Sequence, residues 1–222
     1  MRRVLLTTIS LLAFTATVAV AADLPRQMPA KAPAMVPVGY NWTGFYLGIN
    51  GGYGWGRSNW DAFATTTDVS GWMAGLTAGY NWQAMGSPWV FGLEGDIDWS
   101  NIKGSTTVNC AVGCETKNTW LSTVRGRVGY AWDRFLPYFT GGLAVGGVEA
   151  NRAGFTGDSE TRAGWTIGGG VEFALAPQWS AKVEYLYVDL GSFDCGTRCG
   201  AFSPDNVSFT SSLVRGGINY KF

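Results

Sequence analysis

Pairs of tryptophans ten residues apart, with apolar residues at alternate positions between them, constrain this chain most strongly. Trp72 and Trp82 form one pair, and Trp89 and Trp99 form the next. A β-strand rises ~3.3 Å per residue, so ten residues span ~33 Å, or ~25 Å of depth at the ~40° tilt of a membrane barrel. An even separation keeps both indoles on one face of the strand. This geometry is typical of the two aromatic girdles of a transmembrane β-barrel.

The pattern recurs along the chain, which argues against the alternative of a soluble β-protein that is merely rich in tryptophan. Trp120 and Trp132 lie in a similar frame, as does Trp165 with the apolar run to Leu175. The predicted girdle residues are Trp42, Trp55, Trp72, Trp82, Trp89, Trp99, Trp120, Trp132, Trp165 and Trp179.

Alternation of apolar with polar or glycine residues predicts eight strands, near 42–56, 71–83, 89–100, 118–132, 136–148, 162–175, 179–190 and 208–222. In the fifth strand both parities are apolar or small, and we assign Phe139, Leu143 and Val145 to the outer face. The predicted fold class is all-β, an eight-stranded antiparallel transmembrane β-barrel with an up-and-down meander. The predicted connections alternate between long ones, near 57–70, 101–117, 149–161 and 191–207, and short ones, near 84–88, 133–135 and 176–178.

The side of the barrel that is apolar distinguishes a membrane protein from a soluble one. A soluble barrel of the lipocalin type is apolar inside and polar outside, whereas the apolar face here is edged with tryptophan. Outer-membrane barrels have long extracellular loops and short periplasmic turns. We therefore expect the cell outer membrane, with both termini periplasmic and the four long loops extracellular.

The N-terminal region carries export signals. Arg2 and Arg3 precede an apolar stretch that ends in small residues, which predicts a signal peptide at 1–21. Prolines at every fourth position predict an extended periplasmic leader at 22–40. The barrel is then one domain, 41–222.

Four cysteines form two closely spaced pairs, Cys110 with Cys114 and Cys195 with Cys199. After export through an oxidising compartment, disulfides are expected. Three connectivities exist for four cysteines, and the two local pairings are favoured. A four-cysteine metal site needs reduced thiolates, so we predict no metal and no cofactor.

The inward parity of the predicted strands collects five acids and four bases. Eight strands enclose an interior that side chains nearly fill, and an isolated buried ion costs several kcal/mol. We interpret the charges as an internal salt-bridge network; a narrow pore whose charges select ions is the alternative, and the two are compatible if the network rearranges. The lumen residues are Glu94, Asp96, Asp98, Arg125, Arg127, Glu172, Lys182, Glu184 and Arg215.

Composition narrows the class of function. The net charge is zero, which argues against a nucleic-acid partner. The chain has no histidine, whereas enzymatic outer-membrane barrels such as acyltransferases, lipases and omptin-like proteases use histidine in proton transfer, so we predict no enzyme. The lack of histidine also weakens haemin binding, because the commonest axial ligand is missing.

The last strand ends on an aromatic residue. Ile218, Tyr220 and Phe222 share the outer parity, and a terminal strand of this kind resembles the signal that the outer-membrane insertion machinery reads.

Several motifs resemble those of a known family. Asn41-Trp42-Thr43-Gly44-Phe45-Tyr46-Leu47-Gly48 opens the first strand, and Arg215-Gly216-Gly217-Ile218-Asn219-Tyr220-Lys221-Phe222 closes the last. Over about 40–222 the chain resembles the small 25/31-kDa immunogenic outer-membrane barrels of α-proteobacteria, which share an OmpA-like or opacity-type architecture. The resemblance implies a surface barrel of the porin, immunogen or haemin-binding kind.

The resemblance also bears on partners. Some such barrels are joined to peptidoglycan through an Ala-Asp start, and cleavage after Ala21 would leave Ala22 and Asp23 at the mature N-terminus. We predict a structural, surface-exposed protein that contributes to envelope integrity and surface interaction. A porin is the alternative, and haemin or host-ligand binding by the loops is less favoured. The expected partners are outer-membrane lipid, lipopolysaccharide, the insertion machinery and peptidoglycan.

Overall fold

The computed structural model describes residues 39–60, 65–107, 114–152, 158–194 and 206–222. They form a closed barrel of eight antiparallel strands in which each strand pairs with its chain neighbours and β8 closes on β1. The predicted fold class is therefore confirmed. The strands are β1 Gly44–Trp60, β2 Thr65–Gln83, β3 Trp89–Thr106, β4 Cys114–Tyr130, β5 Phe135–Arg152, β6 Asp158–Ala174, β7 Trp179–Asp194 and β8 Asn206–Lys221.

Several predicted features fall outside these residues. The predicted signal peptide and all but the last two residues of the predicted leader are among them, as are Cys110, Cys195 and Cys199. Cys114 is described through its backbone only, as the first residue of β4. Within the described ranges, no helix is long and apolar enough to cross a membrane.

The strands continue past the predicted segments at their long-connection ends, so the predicted long loops are too long. β1 and β2 remain paired through Arg57 with Asp68 and Ser58 with Thr67. The residues left between strands at this end are 61–64, 107–113, 153–157 and 195–205. The apolar alternation stops where both faces of a hairpin become polar, whereas backbone pairing does not depend on apolar side chains, so the sequence pattern underestimates these strands.

The outer face of the barrel is apolar, as the parity of the strands predicts. Phe139 and Leu143 are 76% and 68% exposed, which confirms the outer face chosen for β5, and Val145 is half-buried on the same face. Trp120 is half-buried beside a register shift in the pairing of β4 with β5. The tryptophans with exposed side chains are Trp55, Trp72, Trp82, Trp89, Trp99, Trp132, Trp165 and Trp179.

Trp42 corrects the girdle prediction, because its side chain lies inside the short-turn end of the barrel. It is 2% exposed and packs with Val90, Leu136 and Ala174. The indole Nε1 donates a hydrogen bond to the backbone oxygen of Asp133 at 3.2 Å. The inward residues of β1 have even numbers, as Trp42 does. If the alternation of β1 is continued back to this residue, its side chain therefore points into the lumen.

Candidate functional site

The middle of the lumen is occupied by charged side chains. The nine residues assigned to the lumen from the sequence are all buried there, none more than 5% exposed. Ion pairs connect them across the barrel as well as between neighbouring strands. We call them the charge network: Glu94, Asp96, Asp98, Arg125, Arg127, Glu172, Lys182, Glu184 and Arg215.

Arg125, on β4, bridges two sides of the barrel. One nitrogen, Nη2, lies 2.5 Å from Glu94 Oε1 and 2.7 Å from Asp96 Oδ2, both on the adjacent strand β3. Its Nη1 lies 2.9 Å from Glu184 Oε2 on β7. The Nε donates to Thr123 Oγ1 at 3.0 Å. The guanidinium is thus hydrogen bonded on every side and holds the two walls together.

Arg215, on β8, makes the matching bridge from the opposite wall. Its Nε lies 2.8 Å from Glu184 Oε1, and its Nη1 lies 2.8 Å from Asp98 Oδ2. The remaining nitrogen, Nη2, lies 2.9 Å from Asp96 Oδ2. Because Arg125 and Arg215 share Glu184 and Asp96, the two guanidinium groups belong to one connected cluster.

In the lower part of the network, toward the short turns, two tyrosine side chains contact the charged groups. Arg127 Nη2 lies 2.7 Å from Glu172 Oε2, and the guanidinium carbon lies 4.0 Å from the centre of the Tyr138 ring. Lys182 Nζ lies 2.9 Å from Glu94 Oε2, to which the Tyr46 hydroxyl also donates at 2.7 Å. Sequence analysis missed the two tyrosines as members of the site, although both have inward parity.

Glycines make room for the network. Seven of the nine charged residues have an inward glycine as Cα partner on a neighbouring strand. A Cβ atom at Gly75 would lie 2.1 Å from Asp98 Oδ1, and one at Gly52 would lie 2.6 Å from the Cβ of Arg215. The glycine-rich inner parity is therefore the space into which the charged side chains extend.

Apolar layers close the lumen on both sides of the network, and the sequence analysis did not predict them. The smaller layer, at the short-turn end, is the Trp42 cluster described above. The larger lies toward the long connections, where Leu186 and Leu213 are 0% exposed. This upper apolar layer comprises Val69, Met73, Ile102, Leu121, Ala144, Val148, Leu186, Val188, Leu190, Phe209 and Leu213.

Beyond the upper layer, polar side chains also meet across the lumen. Ser58 on β1 and Thr116 on β4 are hydrogen bonded at 3.0 Å, and both side chains are fully buried. Since β1 and β4 are not neighbours in the wall, this contact spans the interior.

The residues that precede β1 form a strap, Gly39–Thr43, across the short-turn mouth. The Tyr40 backbone N–H donates to Asp133 Oδ1 at 3.1 Å, and the Trp42 N–H donates to Gln83 Oε1 at 3.1 Å. Lys221 donates to the backbone oxygen of Asn41. Partial burial, assisted by the carboxylate of Glu172, raises the pKa of the Tyr40 hydroxyl above its ordinary value. The Lys221 Nζ lies 4.2 Å from the centre of the Tyr40 ring.

The C-terminal aromatic residues lie on the outer face at the barrel seam. Ile218 and Phe222 are 45% and 70% exposed, and Tyr220 is half-buried. The Tyr220 ring centre lies 5.1 Å from that of Trp179 and 5.1 Å from that of Phe222. The Phe222 N–H donates to the backbone oxygen of Phe45 at 2.9 Å, which closes the seam with β1.

The described residues contain no group of three or more His, Cys, Asp or Glu side chains arranged to hold a metal ion. Within the charge network, the charged groups pair with one another. The five carboxylates accept hydrogen bonds from the four cationic side chains and from the hydroxyl groups of Tyr46, Thr123 and Ser180. Its geometry is that of an internal brace.

Comparison with known proteins agrees with this architecture. Residues 9–222 match the model of the outer membrane protein beta-barrel domain. The chain is 39% identical to the 31 kDa outer-membrane immunogenic protein of Brucella melitensis biotype 1, over 96% of this chain and 97% of the relative. It is 35% identical to the 22 kDa outer membrane protein of Rhizobium leguminosarum bv. viciae, over 87% and 83%.

Among solved structures, Neisserial surface protein A has a similar fold. The TM-score is 0.51 at 15% identity, and the match covers 81% of this chain and 98% of that protein. At this identity the likeness concerns the fold alone.

Proposed function

Because this chain belongs to the outer-membrane β-barrel family, we propose that it is a closed structural barrel that holds four hairpins at the cell surface. The observation that carries the proposal is the filling of the lumen at three successive levels. The Trp42 cluster, the charge network and the upper apolar layer follow one another from the short-turn end upward.

Each level opposes ion passage for its own physical reason. An ion that crosses the charge network has to separate buried ion pairs, and a buried charge left without its partner costs ~3–5 kcal/mol. The apolar layers offer no polar partner to a hydrated ion, and burying an unpaired charge is more costly still. These arguments support a brace over the narrow pore that the sequence leaves as the alternative.

Ion flux tests this function. The refolded mature chain is placed in potassium-loaded liposomes beside a known porin, with folding monitored by heat-modifiable gel mobility. We expect potassium retention equal to that of empty liposomes. Rapid potassium loss at the same protein density would favour the porin alternative.

The orientation proposed from the sequence places the short turns in the periplasm and the hairpins outside. Lys103 and Lys117 lie on the hairpin extensions, whereas Lys221 lies at the short-turn end. A membrane-impermeant amine reagent applied to intact cells is expected to label Lys103 and Lys117 and to spare Lys221. The reverse labelling would contradict this orientation.

A covalent link to peptidoglycan through Ala22 and Asp23 remains part of the proposal. In support, the strap that precedes β1 lies at the short-turn mouth, which this orientation assigns to the periplasm. Muramidase digestion of envelopes should release an N-terminal peptide that carries a muropeptide mass. Recovery of only the free N-terminus would contradict the link.

A further inference from the structure

On the lipid-facing side, the ring of aromatic residues near the long connections is interrupted at two strands, β5 and β8. Ser212 of β8 is the Cα partner of Tyr187 on β7 and of Trp55 on β1. On the far side of Trp55, its partner on β2 is Ser70. Aromatic and hydroxyl side chains therefore alternate across four adjacent strands.

A slot of about 410 Å³ opens in the outer face at this row. Its lining includes Tyr187 on β7, Thr210 and Ser212 on β8 and Trp55 on β1, and it continues past Trp55 to Asp68 and Ser70 on β2. Neighbouring strands are ~4.8 Å apart, so the strands that carry the two aromatic residues are ~9.6 Å apart. This spacing leaves room for a sugar ring between the aromatic side chains.

The side chains around the slot are held in place by their neighbours. The hydroxyl oxygens of Tyr185 and Ser212 are hydrogen bonded at 2.9 Å. The Tyr187 ring packs against Trp165, with 5.5 Å between ring centres. One wall and the floor are thus positioned before any ligand binds.

The upper rim of the slot is charged. Arg57 Nε and Asp68 Oδ1 are 3.8 Å apart, and both side chains are highly exposed. A contact this long is loose, so the guanidinium can turn toward an anionic group. Arginine binds phosphate bidentately, and a carboxylate accepts hydrogen bonds from hydroxyl or amine groups.

We propose that this slot binds the sugar headgroup of a phosphorylated glycolipid in the surrounding outer leaflet. Trp55 and Tyr187 contact the faces of the sugar, the serine and threonine hydroxyls bond its hydroxyls, and Arg57 pairs with its phosphate. The slot opens sideways at the depth of the aromatic girdle, where lipid headgroups lie, so a membrane lipid reaches it directly. The inference rests on the proposed orientation, which puts this end in the outer leaflet.

Native mass spectrometry of the refolded mature chain tests the proposal. Micelles contain lipid A or phosphatidylglycerol at equal mole fraction, and the fraction of protein that retains one lipid is measured. Ser212→Trp fills the slot, and Val214→Trp adds the same indole two residues away on the same outer face, outside it. Glucosamine 1-phosphate serves as the soluble probe.

We expect the wild type and Val214→Trp to retain lipid A in preference to phosphatidylglycerol. Retention by Ser212→Trp should fall about three- to tenfold, the range of an aromatic contact. Equal retention of the two lipids by the wild type, or unchanged retention by Ser212→Trp, would overturn the proposal. Retention of glucosamine 1-phosphate as strong as that of lipid A would assign the slot to a soluble sugar phosphate and overturn the lipid assignment.

A second pair of variants keeps the test decisive if Ser212→Trp fails to fold. Trp55→Leu removes one wall of the slot, and Trp72→Leu removes a girdle tryptophan outside it. Only Trp55→Leu should lose the preference for lipid A; equal loss in both variants would overturn the site. Ion flux separates this inference from the proposed function, because a conducting barrel that prefers lipid A would contradict the closed lumen and leave the slot in place.

Discussion

Arg125 on β4 and Glu184 on β7 form an ion pair of 2.9 Å although two strands separate them in the barrel wall. The pair therefore crosses the lumen rather than running along the wall. Both side chains are fully buried, so neither charge has water as an alternative partner. We interpret contacts of this kind as an internal brace that stabilises the barrel, and the variants below test this interpretation.

Removal of the Glu184 charge should destabilise the barrel strongly. Glu184→Gln removes the carboxylate that pairs with all three of Arg125, Arg215 and Lys182. We expect a loss of ~3–5 kcal/mol in the free energy of unfolding, the cost of an uncompensated buried charge. Urea unfolding in lipid vesicles measures it, with Glu160→Gln as the half-exposed control. Equal unfolding midpoints for the two variants would contradict the brace.

The glycines opposite the charged residues should not tolerate a methyl group. A Cβ at Gly52 would lie 2.2 Å from the backbone oxygen of Val214, whereas the nearest atom to a Cβ at Gly51 is 3.6 Å away. Gly52→Ala should cost ~1–3 kcal/mol of unfolding free energy, as overpacking does. Gly51→Ala, on the outer face, should change it by less than ~0.5 kcal/mol. Similar unfolding curves for both variants would refute the packing argument.

Trp42 should contribute to stability, whereas ion exclusion should survive its removal. Trp42→Ala removes a side chain that is 2% exposed, and such a truncation costs ~3–5 kcal/mol. The liposomes should still retain potassium, because the charge network and the upper apolar layer remain. Trp179→Ala, at a site 48% exposed, is the matched control and should cost less. Potassium leakage through Trp42→Ala alone would mean that the strap is the principal barrier.

The aromatic C-terminus should matter for assembly in cells more than for stability. Phe222 is 70% exposed, so Phe222→Ala should leave refolding in detergent nearly unchanged. If the insertion machinery reads this residue, the fraction of protein in the outer membrane should fall. Phe139→Ala, at an outer-face site 76% exposed within β5, is the control. Equal outer-membrane fractions for the two variants would rule out a special role for the terminus.

Parity along the strands predicted the barrel and the inward direction of the charged residues, because lipid and lumen impose opposite polarity on alternate positions. Parity also pointed Trp42 inward. The girdle assignment of Trp42 is wrong, and the spacing rule does not support it, because no tryptophan lies ten residues away on the same strand. The strap contacts with Gln83 and Asp133 are non-local, and no local pattern encodes them.

The upper apolar layer was beyond prediction for a different reason. Leu186, Val188 and Leu190 share their parity with the charged Glu184, and the outer parity of β7 is aromatic. With both faces apolar, the alternation that distinguishes lipid from lumen disappears. The long polar hairpins were underestimated because their outer face lies above the apolar band and carries no hydrophobic signal.

Single-channel recording in a planar bilayer tests the closed lumen most directly. The wild-type chain, shown to be folded by heat-modifiable mobility, is recorded beside Arg125→Ala, which removes the central cross-lumen contact. The closed-barrel account predicts that the wild type inserts without discrete conductance steps. Discrete wild-type steps whose size changes in Arg125→Ala would place an ion path through the charge network and contradict it.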